Sequence, residues 1–353
     1  MQTFSLAAAG LAILGAIAMA PHFAIADDTD RISGPHIHEN LAVYFIHGPS
    51  APGPVPLTLQ EALDKGSVRV IETGEVNELK IENTGGDEIF IQSGDIVKGG
   101  RQDRVLSMSF VLPPKSGEVS LAAFCVEHGR WSGRGGESSA AFASADEALP
   151  SREAKLAMRA PMKVEVGPDQ PRAALDAGDR VYSRQQEVWA SVASVQKRLS
   201  GNLSAAVASP QSATSLQLSL ENDKLKEARK AYIKTLESFG AEKDDILGYV
   251  FAVNGKVNSA DVYPSNALFR KMWPKLLAAS ITEAIGADKD AAAAPAPAPA
   301  SVSAFLSSAE SGSSQEETVS GLARQEVRDA KGAVFMEAKR SDGAWVHRNY
   351  LAK

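Results

Sequence analysis

The chain has little of what would tie it to nucleic acid, to a disulfide framework or to a bilayer. It contains one cysteine, Cys125, so no disulfide can form within the chain and apolar burial must stabilise the fold. Its net charge is -6. Because that charge offers no basic excess to neutralise phosphates, we expect no nucleic-acid partner. No segment beyond the N-terminus is apolar enough over a sufficient length to span a bilayer.

The N-terminus lacks charge: the first charged side chain is Asp27. An apolar run over residues 6–20 precedes the small-x-small sequence Ala24-Ile25-Ala26. This pattern predicts a secretory signal peptide over residues 1–26. An uncleaved membrane anchor is the alternative, but the run is shorter than the roughly 20 residues that a spanning helix needs. We therefore expect export, to a bacterial periplasm, and no membrane attachment after cleavage.

Residues 36–135 predict an antiparallel β-rich module. Runs rich in Val, Ile, Leu and Phe alternate with short turns, a spacing that favours a sandwich or a barrel-like sheet. One short helix interrupts the strands, since Thr58 and Glu61 have the spacing of a capping box and Gly66 can end the helix. Residues 136–175 show neither the hydrophobic periodicity of a strand nor that of a helix and are predicted to be a loop and connector.

Residues 176–353 predict an α+β module in the order helix, β-hairpin, helix. Apolar residues from Val188 to Leu199 recur at helical spacing, and Asn254-Gly255 between two apolar runs is typical of a type I′ turn. We expect the C-terminal strands to be antiparallel and to pair with this hairpin. The whole chain is thus predicted to be α+β.

Two proline-containing segments of this module lead to further predictions. Pro274 lies inside a predicted helix over residues 266–285, where it must start a new segment or kink the helix. The Ala/Pro-rich residues 287–301 predict an extended, semi-rigid linker inserted in the module.

The stretch "SGDIVKGGRQDRVL" combines a glycine turn with positive charge. Gly99 and Gly100 follow a predicted strand, where successive N–H groups can point at one spot. Lys98, Arg101 and Arg104 bring cations to the same place, and arginine suits phosphate or carboxylate. The stretch matches neither the P-loop nor the dinucleotide fingerprint. The alternative to an anion cradle is a wide hairpin whose rim is salt-bridged through Asp95 and Asp103.

The stretch "LAAFCVEHGRW" ends a strand that is predicted to be central. Glu127, at its end, is either a general acid or base or the structural ion-pair partner of an arginine such as Arg130. Trp131 either stacks on a base or sugar or covers the sheet edge. Cys125 has apolar neighbours, which favours a buried inert thiol over a nucleophile.

Three histidines near the mature N-terminus, His36, His38 and His47, raise the question of a zinc or copper site. No carboxylate spacing completes a familiar ligand set, so we expect no metal and no cofactor. No Gly-x-Ser-x-Gly motif or other recognisable Ser/His/Asp order is present, and hydrolase chemistry of that type is unsupported.

These motifs resemble a bacterial family named for its association with ADP-ribosylglycohydrolases and rhodanese-type phosphatases. The resemblance runs from about Asn40 to the C-terminus and is carried by "NLAVYFI", "SGDIVKGGRQDRVL", "CVEHGRW" and "YVFAVNGKVNSADVYPSNALFRKMWPKLLAASITEA". It implies a link to NAD or ADP-ribose metabolism and favours one shared pocket over two unrelated turns.

The leading hypothesis is that the chain binds a small anionic nucleotide-like ligand such as an ADP-ribose derivative; whether it also processes that ligand is left open. Glu127 is the candidate acid or base. The candidate ligand-binding residues are Asp95, Lys98, Gly99, Gly100, Arg101, Gln102, Arg104, Arg130 and Trp131. The alternative is a non-enzymatic envelope protein in which both motifs only stabilise the fold. The sequence leaves open whether a reaction is catalysed and which protein partners exist.

Overall fold

The computed structural model describes residues 31–135, 137–159, 171–288, 294–319 and 321–353. The predicted signal peptide lies outside these residues, as does part of the predicted connector. Helices and mostly antiparallel sheets are both present, which confirms the α+β class. Within the described ranges, no helix is both long enough and apolar enough to cross a membrane.

The largest part of the fold is an eight-stranded antiparallel sheet. Its strands, in spatial order, are β1 (Ile32–His38), β2 (Leu41–His47), β12 (Ile246–Val253), β13 (Lys256–Val262), β17 (Trp345–Ala352), β16 (Ala333–Arg340), β15 (Ala323–Asp329) and β14 (Ser313–Val319). Successive side chains of a strand point to opposite faces. Alternate residues of β2 therefore enter two different apolar cores, one on each face of the sheet.

Two smaller sheets pack against each other, and their side chains form a further apolar core between them. The six-stranded sheet is antiparallel and has the order β11 (Phe142–Ala148), β7 (Asp95–Gly99), β8 (Arg104–Leu106), β10 (Gly117–Cys125), β5 (Glu78–Asn83) and β4 (Val68–Glu75). The three-stranded sheet has the order β3 (Leu57–Thr58), β6 (Ile89–Ile91) and β9 (Phe110–Leu112).

Two segments of the chain pass from one small sheet to the other. The first contains β6 and β7 and bends before Gly94, whose φ is +94°. The second contains β8 and β9. The backbone N–H of Ser93 donates to Ser109 Oγ at 2.8 Å, which joins the two corners. Strands that switch sheets at a corner produce this kind of packing.

Helices cover the sheets on several sides. They are α1 (Leu59–Asp64), α2 (Arg152–Met158), α3 (Pro171–Leu203), α4 (Leu216–Leu220), α5 (Asp223–Leu236), α6 (Asn266–Ile285) and α7 (Pro299–Glu310). α6 packs on one face of the large sheet with Phe269 and Trp273, and α7 covers the other face with Val302 and Leu306. Val188 and Val192 of α3 share a core with Phe124 of β10.

Several local predictions are confirmed. Thr58 and Glu61 form the capping box of α1. Asn254 and Gly255 both have positive φ, of 50° and 73°, as a type I′ turn requires. The C-terminal strands pair with the hairpin through β13 and β17. Pro274 lies within one continuous helix, α6, so no new segment begins there.

The connector predicted over residues 136–175 was partly wrong. Residues 142–148 form β11, which pairs with β7 at the edge of the six-stranded sheet, and α2 follows. Most side chains of this strand are small or polar, so the strand shows no hydrophobic periodicity in the sequence. It is defined by its backbone hydrogen bonds to β7. The strand from Leu41 to His47, grouped by sequence with residues 36–135, pairs with β12 in the large sheet.

The Ala/Pro-rich segment contacts the sheet where it is described, from Ala294 onward. Tyr44 Oη donates to the carbonyl of Pro297 at 2.5 Å, and Ala296 packs against the core beneath α7. Pro299 begins α7, a helix that the predicted linker overlapped. From Ala294 to Ala298 the segment has no regular secondary structure and lies against the protein, and α7 begins directly after it.

Candidate functional site

The two motifs singled out by sequence meet at one end of the six-stranded sheet. β7 and β8 are antiparallel neighbours joined by the turn over residues 100–103. Arg104, at the start of β8, pairs with Cys125, the last residue of β10. The residues from Glu127 to Trp131 follow β10 directly, so they lie beside the glycine turn.

The glycine turn uses its N–H groups internally. Gly99 and Gly100 have φ values of +121° and +56°, a region that favours glycine. The N–H of Gly99 donates to Asp103 Oδ1 at 3.0 Å, and that of Gly100 donates to the carbonyl of Ala141 at 3.1 Å. These amides are therefore not free to hold an anion. The glycines instead allow the close approach of β11.

Glu127 is completely buried and paired. Its Oε2 accepts from Arg130 Nε at 2.8 Å and lies 2.7 Å from Arg130 Nη2, and Ser212 Oγ donates to its Oε1. The backbone N–H of Asp103 donates to Oε2 at 3.2 Å. Burial alone would raise the pKa of Glu127, but the hydrogen bonds from Arg130, Ser212 and Asp103 outweigh it and lower that pKa.

Asp103 is the second buried carboxylate of this cluster. Arg134 forms a bidentate pair with it, at 2.9 Å to Oδ2 and 3.3 Å to Oδ1, and Ser215 Oγ donates to Oδ2 at 2.8 Å. Arg130 also donates to the carbonyls of Gly99 and Gly100. We call Asp103, Glu127, Arg130, Arg134, Ser212 and Ser215 the buried ion-pair network.

The buried ion-pair network joins the sheet to the segment that leads into α4. Two buried carboxylates face two guanidinium groups, and Arg134 also pairs with the partly exposed Glu137 at 3.1 Å. The geometry favours the ion-pair alternative for Glu127, because a carboxylate with these four donors is not available as a general acid. A buried pair of this kind needs every partner in place, since removing one leaves an uncompensated charge.

Three further candidates are engaged elsewhere. Lys98 Nζ lies 2.8 Å from Glu221 Oε1, at the end of α4. Asp95 accepts from Lys275 Nζ of α6 at 2.7 Å. Gln102 is almost fully buried, and its carbonyl accepts from Arg104 Nη1 at 2.9 Å. Asp95 therefore lies at the end of β7 opposite the glycine turn, whereas Lys98 lies beside the turn, and the two residues pair with different helical segments.

Arg101, Arg104 and Trp131 form the remaining group, which we call the Arg–Trp site. Both guanidinium carbons lie 5.5 Å from the centre of the Trp131 ring, within cation–π distance. Trp131 is 41% exposed, whereas the Arg104 side chain is fully buried. The ring of Trp131 thus borders solvent and contacts a buried cation.

Arg104 has donors that the protein does not use. Among the described residues, neither its Nε nor its Nη2 has a hydrogen-bond acceptor. The nearest carboxylate oxygen in an ion pair, Glu72 Oε1, lies 3.9 Å from Nη2, beyond hydrogen-bond distance. Glu72 already accepts from the N–H groups of Gly74 and Arg101. Unmade hydrogen bonds of a buried charged group cost free energy, so this arrangement is suited to an additional acceptor.

The surroundings of Cys125, His36 and His47 indicate structural roles for these side chains. Burial raises the pKa of the Cys125 thiol to about 12, which suppresses the thiolate. His36 packs on Phe239, while His47 bonds to Asp245 and Ser33. No cluster of three or more metal-ligating side chains is found in the part of the chain that the structure describes.

Sequence reasoning missed several members of these groups. Ser212 and Ser215 lie in a polar connector about 85 residues beyond Glu127 in the chain, and no local pattern marks them. Arg134 stands in a glycine-rich loop without periodicity. Glu72 was detectable, because it directly follows the apolar residues Val70 and Ile71 of β4, much as Glu127 follows an apolar run.

Comparison with known families identifies the chain at the family level. The domain described as ARPP-1, ARG and Rhodanese-Phosphatase-superfamily-associated Protein domain, matches residues 30–351. The chain belongs to this family, as its motifs indicated. Searches of curated proteins and of solved structures found no match.

Proposed function

We propose that this member of the family binds a small anionic, nucleotide-like ligand, such as an ADP-ribose derivative, at the Arg–Trp site. The unused donors of Arg104 carry the proposal. A phosphate or carboxylate oxygen placed beside Nε and Nη2 would supply the acceptors that the described chain lacks, in the planar geometry that arginine favours.

Arg101 and Trp131 complete the proposed site. Arg101 is partly exposed and has no carboxylate partner among the described residues, so its charge is available to an anion. Trp131 offers a ring face for stacking on a base or sugar. Because Trp131 borders Arg104, its ring must move aside when a ligand reaches the buried guanidinium. The activity proposed for this site is ligand binding. Because Glu127 is paired with Arg130, it does not serve as an acid or base there.

The first test is a thermal-shift panel of ADP-ribose, AMP, inorganic phosphate and dicarboxylates. A ligand that binds only the folded state raises the melting temperature, by an amount equivalent to about 1.4 kcal/mol at ten times Kd. Arg101→Ala should abolish the rise without unfolding the protein, since the half-exposed side chain has no buried partner. Added salt should weaken the rise.

Two matched controls define the site. Lys98→Ala should leave the ligand-induced rise intact, because Lys98 is paired with Glu221. Arg324→Ala, which removes an exposed arginine of β15, should also leave it intact. If no compound raises the melting temperature at millimolar concentration, the binding proposal fails and the non-enzymatic structural alternative is favoured. If Lys98→Ala abolishes the rise and Arg101→Ala does not, the ligand lies elsewhere on the turn.

We also propose that the chain acts after export, in the periplasm, because residues 1–26 have the pattern of a signal peptide. Expressed with its own N-terminus, the protein should be recovered from the periplasmic fraction with Asp27 as its first residue. Intact-mass measurement and N-terminal sequencing check this. Membrane-bound material that retains Met1 would contradict it.

A further inference from the structure

A large cleft lies away from the Arg–Trp site, between the β1–β2 turn and the helices. Its volume is about 810 Å³, within the range of roughly 300–1,000 Å³ that is typical of small-molecule sites. The walls come from the ends of α3 and α6, from one face of α5, from the Asn254–Gly255 turn and from the Ala294–Ala296 segment.

Three asparagine side chains hold the walls of the cleft together. Asn40 Nδ2 donates to the carbonyl of Ala284 at 2.9 Å, which ties the β1–β2 turn to α6. Asn202 Nδ2 donates to the carbonyls of Ile285 and Ala287, both at 2.7 Å, which ties α3 to the same helix end. Asn254 Nδ2 donates to the carbonyl of Asp288. The cleft is therefore preformed, and much of its polar surface is already occupied.

The surface left inside the cleft is mostly apolar. Leu41, Leu203 and Ala228 contribute to its lining. Ile37 also lines it and is 53% exposed, which is unusual for a large apolar side chain. An apolar ligand body that contacted Ile37 would remove this surface from water, a favourable transfer.

One end of the cleft carries a negative charge. Glu39 is the charged member of the lining, and no basic side chain accompanies it among the described lining residues. Tyr232 Oη donates to Glu39 Oε2 at 2.9 Å and lies 3.1 Å from Asn40 Oδ1. Burial, together with the Glu39 carboxylate, raises the pKa of Tyr232 well above its usual value, so the hydroxyl keeps its proton and continues to orient Glu39.

The backbone also holds Glu39 in place. Its φ is +49°, in the left-handed region that a glutamate rarely adopts. The turn places Glu39 at the cleft, and the Tyr232 hydroxyl fixes the carboxylate there. A carboxylate at one end and an apolar lining at the other are complementary to an amphiphilic cation.

We propose that this cleft binds a small amphiphilic amine, with its ammonium group beside Glu39 and its apolar body against Leu203, Ala228 and Ile37. Charge complementarity selects the cation, because no basic side chain opposes the attraction to Glu39 among the described residues that line the cleft. The proposal is independent of the Arg–Trp site, which selects ligands of the opposite charge.

The experiment compares three probes of equal length by calorimetric titration at neutral pH: hexylammonium, hexanol and hexanoate. Hexylammonium should bind most tightly, hexanol about 10-fold more weakly, which corresponds to about 1.4 kcal/mol, and hexanoate most weakly. Glu39→Gln should weaken hexylammonium binding by about 10-fold or more and leave hexanol binding unchanged.

Two further variants make the outcome decisive. Glu227→Gln alters an exposed carboxylate of α5 that does not line the cleft, and it should leave binding unchanged. Ala228→Leu adds bulk within the cleft and should abolish binding of hexylammonium and hexanol alike. Arg101→Ala should have no effect, which separates this proposal from the anion site. Equal binding of all three probes, no binding of hexylammonium, or full binding to Glu39→Gln would overturn the proposal.

Discussion

Replacing Asp103 by asparagine should lower the free energy of unfolding by about 3–5 kcal/mol, the usual cost of breaking a buried ion pair from one side. Asparagine keeps the shape of the side chain but substitutes an NH₂ donor for one carboxylate oxygen. That donor would face Arg134 and Ser215 on one side or the N–H of Gly99 on the other. Arg130 and Arg134 would also lose half of their buried countercharge.

Chemical denaturation with a linear extrapolation to zero denaturant measures this loss. The matched control is Glu118→Gln, which breaks a pair with Lys80 at 2.7 Å in which both side chains are about half exposed. The control should leave the denaturation midpoint unchanged, because exposed ion pairs contribute little. A loss below about 1 kcal/mol in Asp103→Asn would show that the buried ion-pair network does not stabilise the fold.

Replacing Gly100 by alanine should cost about 2–5 kcal/mol. The φ of +56° penalises any side chain by about 1–2 kcal/mol. A Cβ at this position would also lie 2.1 Å from the ring of Phe142, and overpacking of this kind costs about 1–3 kcal/mol more. The strand β11 would have to move away from β7, and the glycine turn with it.

Replacing Gly66 by alanine separates the backbone penalty from the penalty of overpacking. Gly66 has a φ of +65°, and a Cβ there would meet no atom within 4 Å, so Gly66→Ala should show the backbone penalty alone. Adding Phe142→Leu to Gly100→Ala should restore part of the lost stability, because a smaller side chain relieves the contact. Equal losses at Gly66 and Gly100, or no rescue by Phe142→Leu, would contradict the close packing of β11 on the turn.

Local sequence patterns predicted those elements that are stabilised by residues close to one another in the chain. The capping box at Thr58, the turn at Asn254 and the helix Asn266–Ile285 depend on residues within a few positions of one another. β11 could not be found in this way. Its backbone partners lie on β7, some forty residues earlier in the chain, and its side chains other than Phe142 are small or polar.

For the candidate site, too, the local features could be predicted from the sequence and the long-range contacts could not. The sequence indicated that positive charge, glycine and Trp131 would meet, and they do lie at one end of a sheet. Some of the charges are neutralised by distant partners that no spacing reveals, namely Glu221 for Lys98 and Lys275 for Asp95. The long-range pairing of Lys98, together with the local pairing of Arg130 with Glu127, reduces the candidate cations open to a ligand from four to two.

We propose that Arg101 and Arg104 bind anions, whereas Arg130 and Arg134 stabilise the fold. The most direct measurement is a ¹H–¹⁵N spectrum of the arginine Nε–H groups during titration with ADP-ribose and, separately, with inorganic phosphate. Arginine-to-lysine replacements assign the signals. We expect the Nε signals of Arg101 and Arg104 to shift and those of Arg130 and Arg134 to stay in place. Unmoved Arg101 and Arg104 signals at millimolar ligand, or shifts confined to Arg130 and Arg134, would contradict the proposal.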